Sequence, residues 1–380
     1  MDFNTEAFNQ YKTPFFWYDV ELLEQTLEIV KKESQKYGYN VHYAVKANAN
    51  TNILKKIVEY GLGADCVSGN EVLASINAGF SPDKIAFAGV GKSDEEIIAG
   101  LNNNIFCFNV ESIPELEVIN EIATRLNKKA NVALRINPNV NASTHHYITT
   151  GLQENKFGIN MWEMEDVLSS LNKLKSVELI GLHFHIGSQI TNMQDFKGLC
   201  MRVNEIQKWF YARQIIVDHI NVGGGLGIDY ENPKENPIPN FVDYFKVFND
   251  FLELRPKQKL HFELGRSIVA QCGSLISKVL YIKKGVETTF AILDAGMTEL
   301  IRPALYQATH YINNISSNLE KQKYDVVGPI CESSDCFGKA ILLPQTKRGD
   351  LIAIYSAGAY GEVMSSEYNL RTKAKAYYSK

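Results

Sequence analysis

Eight short apolar runs, each followed by a longer amphipathic stretch, occupy about 240 residues of this chain, a length typical of one closed barrel. The runs are VHYAVK (41–46), GADCV (63–67), IAFAG (85–89), IFCFNV (105–110), VALRIN (132–137), LIGLHFHI (179–186), DHINVG (218–223) and KLHFEL (259–264). They are rich in β-branched and aromatic residues, and most close on Gly, Asn or Lys, which reads as strand. Residues 52–60, 70–78, 93–100, 111–126, 161–174, 195–212 and 240–254 carry helical patterns. The first of these has Ile53, Leu54, Ile57 and Val58 on one helical face. Ser93 followed by Glu96 forms a capping box that opens the third. Eight strands alternating with helices predict an α/β fold, a (β/α)8 TIM-type barrel. A doubly wound open sheet is the alternative, but it expects a glycine fingerprint after its first strand. VHYAVKANAN has none.

The rhythm changes after about residue 270, where strands joined by short loops replace the alternation expected of a barrel. SLISKVLYIKKG, ETTFAILDAG, YDVVGPICES, KAILLPQTKRGD and LIAIYSAGAYG read as this second pattern. TPFFWYDV (13–20) is also strand-like and precedes the first barrel helix. The expected organisation is therefore a barrel over 22–271, with 1–21 and 272–380 forming a mostly β, sandwich- or barrel-like domain completed by the N-terminal strand.

Composition narrows the partners. With 39 basic and 43 acidic residues the net charge is −4, so no basic excess favours a nucleic-acid backbone or an anionic membrane. The six cysteines, Cys66, Cys107, Cys200, Cys272, Cys331 and Cys336, include no C-x-x-C pair and do not read as a disulfide framework. MDFNTEAFNQYKTPFF lacks a signal-peptide pattern, and no run is apolar enough to span a bilayer. A soluble cytoplasmic protein is the expectation.

In a (β/α)8 barrel the chemistry gathers at the C-terminal ends of the strands. The polar residues there are Lys46, Arg135, His183, His185, Gly223, Gly224, Gly225, Glu263, Gly265 and Arg266. Lys46 reads either as a surface lysine ending a strand or as a partly desolvated amine able to bond an aldehyde carbon. The glycine triplet is either a flexible loop or a cradle of N–H groups for an anion. Glu263 is either half of a salt bridge or the partner of a pyridinium nitrogen. His183 and His185 share a side; no third ligand at metal spacing accompanies them, so no metal is expected. His183 suits a core histidine, and His185 suits a ring stacked on a flat cofactor. An amine, an anion cradle, a flat side chain and a carboxylate together suit pyridoxal 5'-phosphate.

YAVKAN (43–48), HFHIGSQ (183–189), GGG (223–225), ELGRS (263–267), GPICESSD (328–335) and AGAYG (357–361) occur in that order. On these motifs the chain resembles the fold-type III pyridoxal-phosphate-dependent decarboxylases, whose barrel is like that of alanine racemase. HIGSQ, TGLQENKFGI (150–159) and LIRPALY (300–306) point to the branch acting on diaminopimelate, the last step of lysine synthesis. The resemblance implies that Lys46 carries the cofactor, His185 stacks on its ring and Glu263 pairs with its ring nitrogen. Ser188, Gly225, Gly265, Arg266 and Tyr360 would surround the phosphate, and Asp65 and Arg135 would join the polar network near the ring. Cys331, the leading proton donor with Lys46 second, and Glu332 would reach into the neighbouring subunit's site, making a homodimer obligatory for activity. Arg266, Arg302 and Tyr306, with Tyr360 nearby, would take the distal carboxylate of the substrate, and Glu332 its ammonium.

A diamine-forming relative has no distal carboxylate, so a buried Arg302 would be costly there. This argues against ornithine or arginine as substrate; HIGSQ with LIRPALY argues against these, carboxynorspermidine and a racemase alike, and a non-catalytic relative, expected to lack Lys46 or Cys331, ranks last. Two departures from the family pattern, Leu264 in Glu-Leu-Gly-Arg and Asn70 in Ser-Gly-Asn-Glu, remove no chemical group. Residues 137–160, with His145 and His146, are expected to form a lid over the bound substrate.

Overall fold

The structure, a computed structural model, describes residue 3, residues 5–140 and residues 156–379. Residues 141–155 lie outside the described set, and with them His145, His146 and most of the expected lid. The chain forms two compact units. One comprises Leu27–Gly227 and Asn240–Gly265; the other comprises the residues up to Thr26, Ile228–Pro239 and everything from Arg266 onward.

The first strand, β1 (Phe15–Tyr18), belongs to the second unit. The next eight are β2 (Asn40–Ala44), β3 (Gly63–Cys66), β4 (Ile85–Phe87), β5 (Cys107–Val110), β6 (Ala130–Arg135), β7 (Val177–His183), β8 (His219–Asn221) and β9 (Lys259–Leu264). They close into a barrel in sequence order, all parallel, with β2 paired to β9. All eight expected runs are barrel strands. Parallel strands need both faces covered. Accordingly β3, β4 and β5 are buried along their whole length.

Polar caps start the covering helices. Ser68, Ser93 and Ser112 each accept from the backbone N–H three residues on, at the starts of Gly69–Ala78, Asp94–Asn102 and Ile113–Arg125. Asn50, Asn192 and Asn240 do the same work for Thr51–Glu59, Met193–Tyr211 and Phe241–Phe251. Each such cap contributes about 1 kcal/mol. The expected Ser93–Glu96 capping box forms in full. Toward the strand starts, three histidines make a hydrogen-bonded chain. His42 Nδ1 faces the Lys84 carbonyl at 3.0 Å, His42 Nε2 meets His261 Nδ1 at 2.9 Å, and His261 Nε2 meets His219 Nδ1 at 2.9 Å.

The second unit is a mostly antiparallel sheet. Its strands are β1, β10 (Gly273–Lys284), β11 (Thr289–Leu293), β12 (Ile312–Asn314), β13 (Lys321–Val327), β14 (Cys336–Pro344), β15 (Leu351–Ile354) and β16 (Lys375–Tyr378). The order is β12-β15-β10-β11-β13-β14, with β1 beside β10 and β16. Phe15 pairs with Ile276 and Tyr18 with Gly273, so the N-terminal segment completes this sheet as expected. Phe8, Phe15, Ile276, Leu351, Ala353 and Tyr355 pack as one core cluster. Gly358 is required here, because a Cβ would sit 2.0 Å from the Val269 carbonyl oxygen. Among the described residues, no helix is long and apolar enough to cross a membrane.

Candidate active site

In the barrel unit the strand ends bring together most of the residues singled out from sequence. Lys46 sits in the turn directly after β2, with Nζ 4.0 Å from Asp65 Oδ2 on β3. Its side chain is 43% exposed, so it is less desolvated than the strand-end reading expected. Asp65 is buried, and among the described residues its Oδ1 has no hydrogen-bond partner. Burial, reinforced by the charge of Glu263, pushes the Asp65 carboxyl well above its usual range.

Glu263, on β9, is held from three sides. Asn109 Nδ2 on β5 and Asn221 Nδ2 on β8 donate to Oε1 at 3.1 and 2.7 Å, and His183 Nε2 on β7 lies 2.9 Å from Oε2. Burial opposes its charge, but His183, by charge and hydrogen bond, and Lys46 outweigh that and hold the carboxyl below its ordinary pKa. Asn109 and Asn221 were not singled out from sequence. Their signal was present: an Asn inside an apolar strand, as in IFCFNV and DHINVG, must find a partner once buried.

β7 ends at His183, so His185 lies in the loop beyond it rather than on the strand. The Gly224 N–H donates to His185 Nδ1 at 3.4 Å, which leaves the ring proton on Nε2. Burial, with Arg135 and Lys46 nearby, pushes the imidazole well below its usual pKa, so it is neutral. The glycine triplet is dictated by the chain itself. Gly223 has φ 69°, and a Cβ on Gly224 would lie 1.8 Å from the Glu263 carbonyl oxygen. Ser188 is half-buried in the loop that runs beside Gly225, where the Ile190 N–H donates to the Gly225 carbonyl at 2.8 Å. Gly265 is buried, and a Cβ there would lie 2.9 Å from that of Ala47, next to Lys46. Arg135 forms a 2.8 Å salt bridge with Glu111, which also accepts from the Gly158 N–H at 3.0 Å.

These groups fit pyridoxal phosphate. An anchored, ionised carboxylate suits a protonated ring nitrogen, and a flat neutral imidazole suits a ring face. The unpartnered Asp65 Oδ1 and His183 Nδ1 leave two buried polar atoms that a polar ligand satisfies.

The second unit gathers a different cluster. Arg266 Nη1 donates to the Tyr230 hydroxyl at 2.6 Å, and its guanidinium lies 4.9 Å from the Tyr360 ring centroid. Burial works against this charge, yet the Tyr230, Tyr360 and Tyr306 phenols hold it above its ordinary pKa. Tyr360 has φ 58°, a strained conformation for an aromatic residue. Arg302 is 6% exposed; Nη1 donates to His310 Nε2 at 2.9 Å, and its guanidinium lies 4.8 Å from the Tyr230 ring. Tyr306 is half-buried at the end of the same short helix, Arg302–Tyr306. Tyr230 and His310 were not anticipated, and no local pattern marks them. Cys331 and Glu332 stand apart from this buried group: both are exposed, and Glu332 accepts from the Tyr368 hydroxyl at 2.7 Å.

Residues 21–270 match the family of pyridoxal-dependent decarboxylases, pyridoxal binding domain. A diaminopimelate decarboxylase of Bacteroides thetaiotaomicron is 61% identical over 378 residues, covering 99% of this chain and 98% of that protein. The chain belongs to the diaminopimelate decarboxylase family. A crystal structure of the Helicobacter pylori family member complexed with L-lysine superimposes with a TM-score of 0.93 at 41% identity, covering 99% of this chain and 94% of that one. The Paramecium bursaria Chlorella virus arginine decarboxylase shares the fold, with a TM-score of 0.86, but only 20% identity over 99% of each chain. The diaminopimelate decarboxylase family thus accounts for the whole chain, both the barrel and the β unit.

Proposed function

We infer that the protein decarboxylates meso-2,6-diaminopimelate to L-lysine and CO2, using pyridoxal phosphate, as a cytoplasmic homodimer. The observation that carries the substrate is Arg302. It is a buried guanidinium whose side-chain contacts, His310 and Tyr230, are neutral, and no described carboxylate forms a salt bridge with it. A buried charge without a counter-ion costs several kcal/mol, roughly, unless a ligand supplies one. A distal carboxylate does so, and the bidentate fit suits it. A substrate ending in an amine or a guanidine would instead add positive charge beside it.

Pyridoxal phosphate, when bound, supplies the sink for the electron pair left as CO2 departs. Lys46 would hold it through Nζ, Glu263 at the ring nitrogen and His185 on the ring face. The N–H groups of Gly223, Gly224 and Gly225, with Ser188, Gly265, Arg266 and Tyr360, would hold the phosphate. Asp65 and Arg135 would fix the charges around the ring. Glu263, kept ionised by its three donors, would hold a proton on the ring nitrogen. Cys331 Sγ would return a proton to the carbon that lost its carboxylate, and Glu332 would take the distal ammonium. The exposure of Cys331 and Glu332 supports their contribution to the site of a second copy.

The test is to incubate the holoenzyme with meso-diaminopimelate, ornithine, arginine and carboxynorspermidine, measuring CO2 and the amine product. CO2 and lysine from the first alone are expected. Turnover of another substrate in its place would overturn the specificity and leave the family standing.

A further inference from the structure

A guanidinium only donates hydrogen bonds, so in the Arg302–His310 pair His310 Nε2 is the acceptor. The imidazole proton therefore sits on Nδ1, which donates to the Tyr355 carbonyl at 2.8 Å, at the end of β15. Both ring nitrogens are used and one tautomer is selected. The Tyr230 ring packs edge-on against His310, with centroids 5.1 Å apart and planes at 77°. Thus the imidazole is anchored to the sheet by one nitrogen and braced by an aromatic ring, and it presents the other nitrogen to Arg302.

The chemistry of that acceptor matters. A carboxylate at this place would orient Arg302 equally well, but it would also neutralise the guanidinium and compete with any anionic ligand. A neutral nitrogen orients without neutralising. Burial and the adjacent Arg302 charge push His310 down to about 3, so the imidazole remains uncharged across the working range of pH. Arg302 is held in place while its charge stays uncompensated.

We propose that His310 is a specificity-determining positioning residue, orienting Arg302 through a neutral acceptor so that the guanidinium keeps its full charge for the substrate's distal carboxylate. This rests on the reading of Arg302 as the carboxylate clamp, and the test separates the two. Pimelate has both carboxylates of the substrate and neither amine, so its binding to the holoenzyme, followed by calorimetry, reports on anion recognition without turnover.

Arg302→Leu and His310→Glu are each expected to weaken pimelate binding by about tenfold or more, the scale of a lost charge-assisted pair. His310→Gln, which keeps a neutral acceptor and a donor, is expected to stay within about threefold of wild type. Wild-type affinity in Arg302→Leu would overturn the clamp itself. Loss in Arg302→Leu with wild-type affinity in His310→Glu would overturn the positioning role alone. A loss in His310→Gln as large as in His310→Glu would also overturn it, since the role would then be structural.

If His310→Glu does not fold, as judged by thermal melting, the unaltered protein decides. The groups facing His310 are the guanidiniums of Arg302 and Arg266 and the ring of Tyr230. Pimelate affinity should then be level from pH 8 to about 6, and a loss with a midpoint at the ordinary histidine value of about 6.5 would overturn the proposal.

Discussion

Three donors converge on Glu263 and divide its oxygens unequally: two amides on Oε1, one imidazole on Oε2. Buried carboxylates ordinarily resist ionisation, and here the donors reverse that tendency. Replacing the charge while keeping the shape isolates its contribution. Glu263→Gln should fold with an unchanged near-ultraviolet spectrum yet lose about 10²-fold or more in kcat at saturating cofactor, the scale of a deleted electrostatic stabiliser. A kcat within a few-fold of wild type would remove Glu263 from the chemistry. Glu263 itself was legible in the sequence, because a carboxylate ending an apolar barrel strand has few uses. Asn109 and Asn221 show in their runs only as amides in need of a partner; that Glu263 is that partner was not legible, since they reach it from strands distant along the chain. The same applies to His310 and Arg302: the sequence shows both residues, but only the folded chain shows the hydrogen bond between them.

Strands and helices were more legible than the contacts between them. Barrel strands announce themselves because both faces are buried and the runs are almost wholly apolar. β12, with the sequence Ile-Asn-Asn, and the four-residue β16 escaped notice, being short and polar or partly exposed. β7 ends at His183, short of the expected residue 186; the alternation of Leu182, Phe184 and Ile186 continues beyond the last paired residue of the strand. The histidine chain across β2, β9 and β8 was likewise invisible locally, and it has a consequence for stability. Burial lowers the pKa of His42 and, well below the ordinary value, that of His261. Below about pH 6.5 the unfolded chain binds protons at these sites that the folded one refuses, so folding weakens as pH falls. Each contributes about 1.4 kcal/mol per pH unit below that point, until its folded pKa is reached, and stability is fully present above it. The urea midpoint should therefore be nearly level from pH 7.5 to about 6.5 and fall from there to pH 5.5. A midpoint constant over that range would show that these rings take up protons in the folded state.

The proposed homodimer rests on a division between buried and exposed groups. Arg302, Arg266 and Tyr230 are buried in their own chain, whereas Cys331 and Glu332 are exposed on it. A proton donor open to solvent is poorly placed for chemistry that must exclude water. The same thiol inserted into a second copy would be covered by that copy, and two-fold symmetry would make the exchange reciprocal. Two inactive variants then distinguish the arrangements. Lys46→Ala removes the amine that would hold the cofactor, and Cys331→Ala removes the proposed donor. If each site takes its lysine from one chain and its thiol from the other, a mixed dimer contains one site with both residues intact and one with neither. Equal mixing makes half the dimers mixed, so activity should recover to roughly a quarter of wild type after dissociation and reassociation. If both residues of a site came from one chain, every site in every dimer would carry one lesion, and the mixture would remain as inactive as its components.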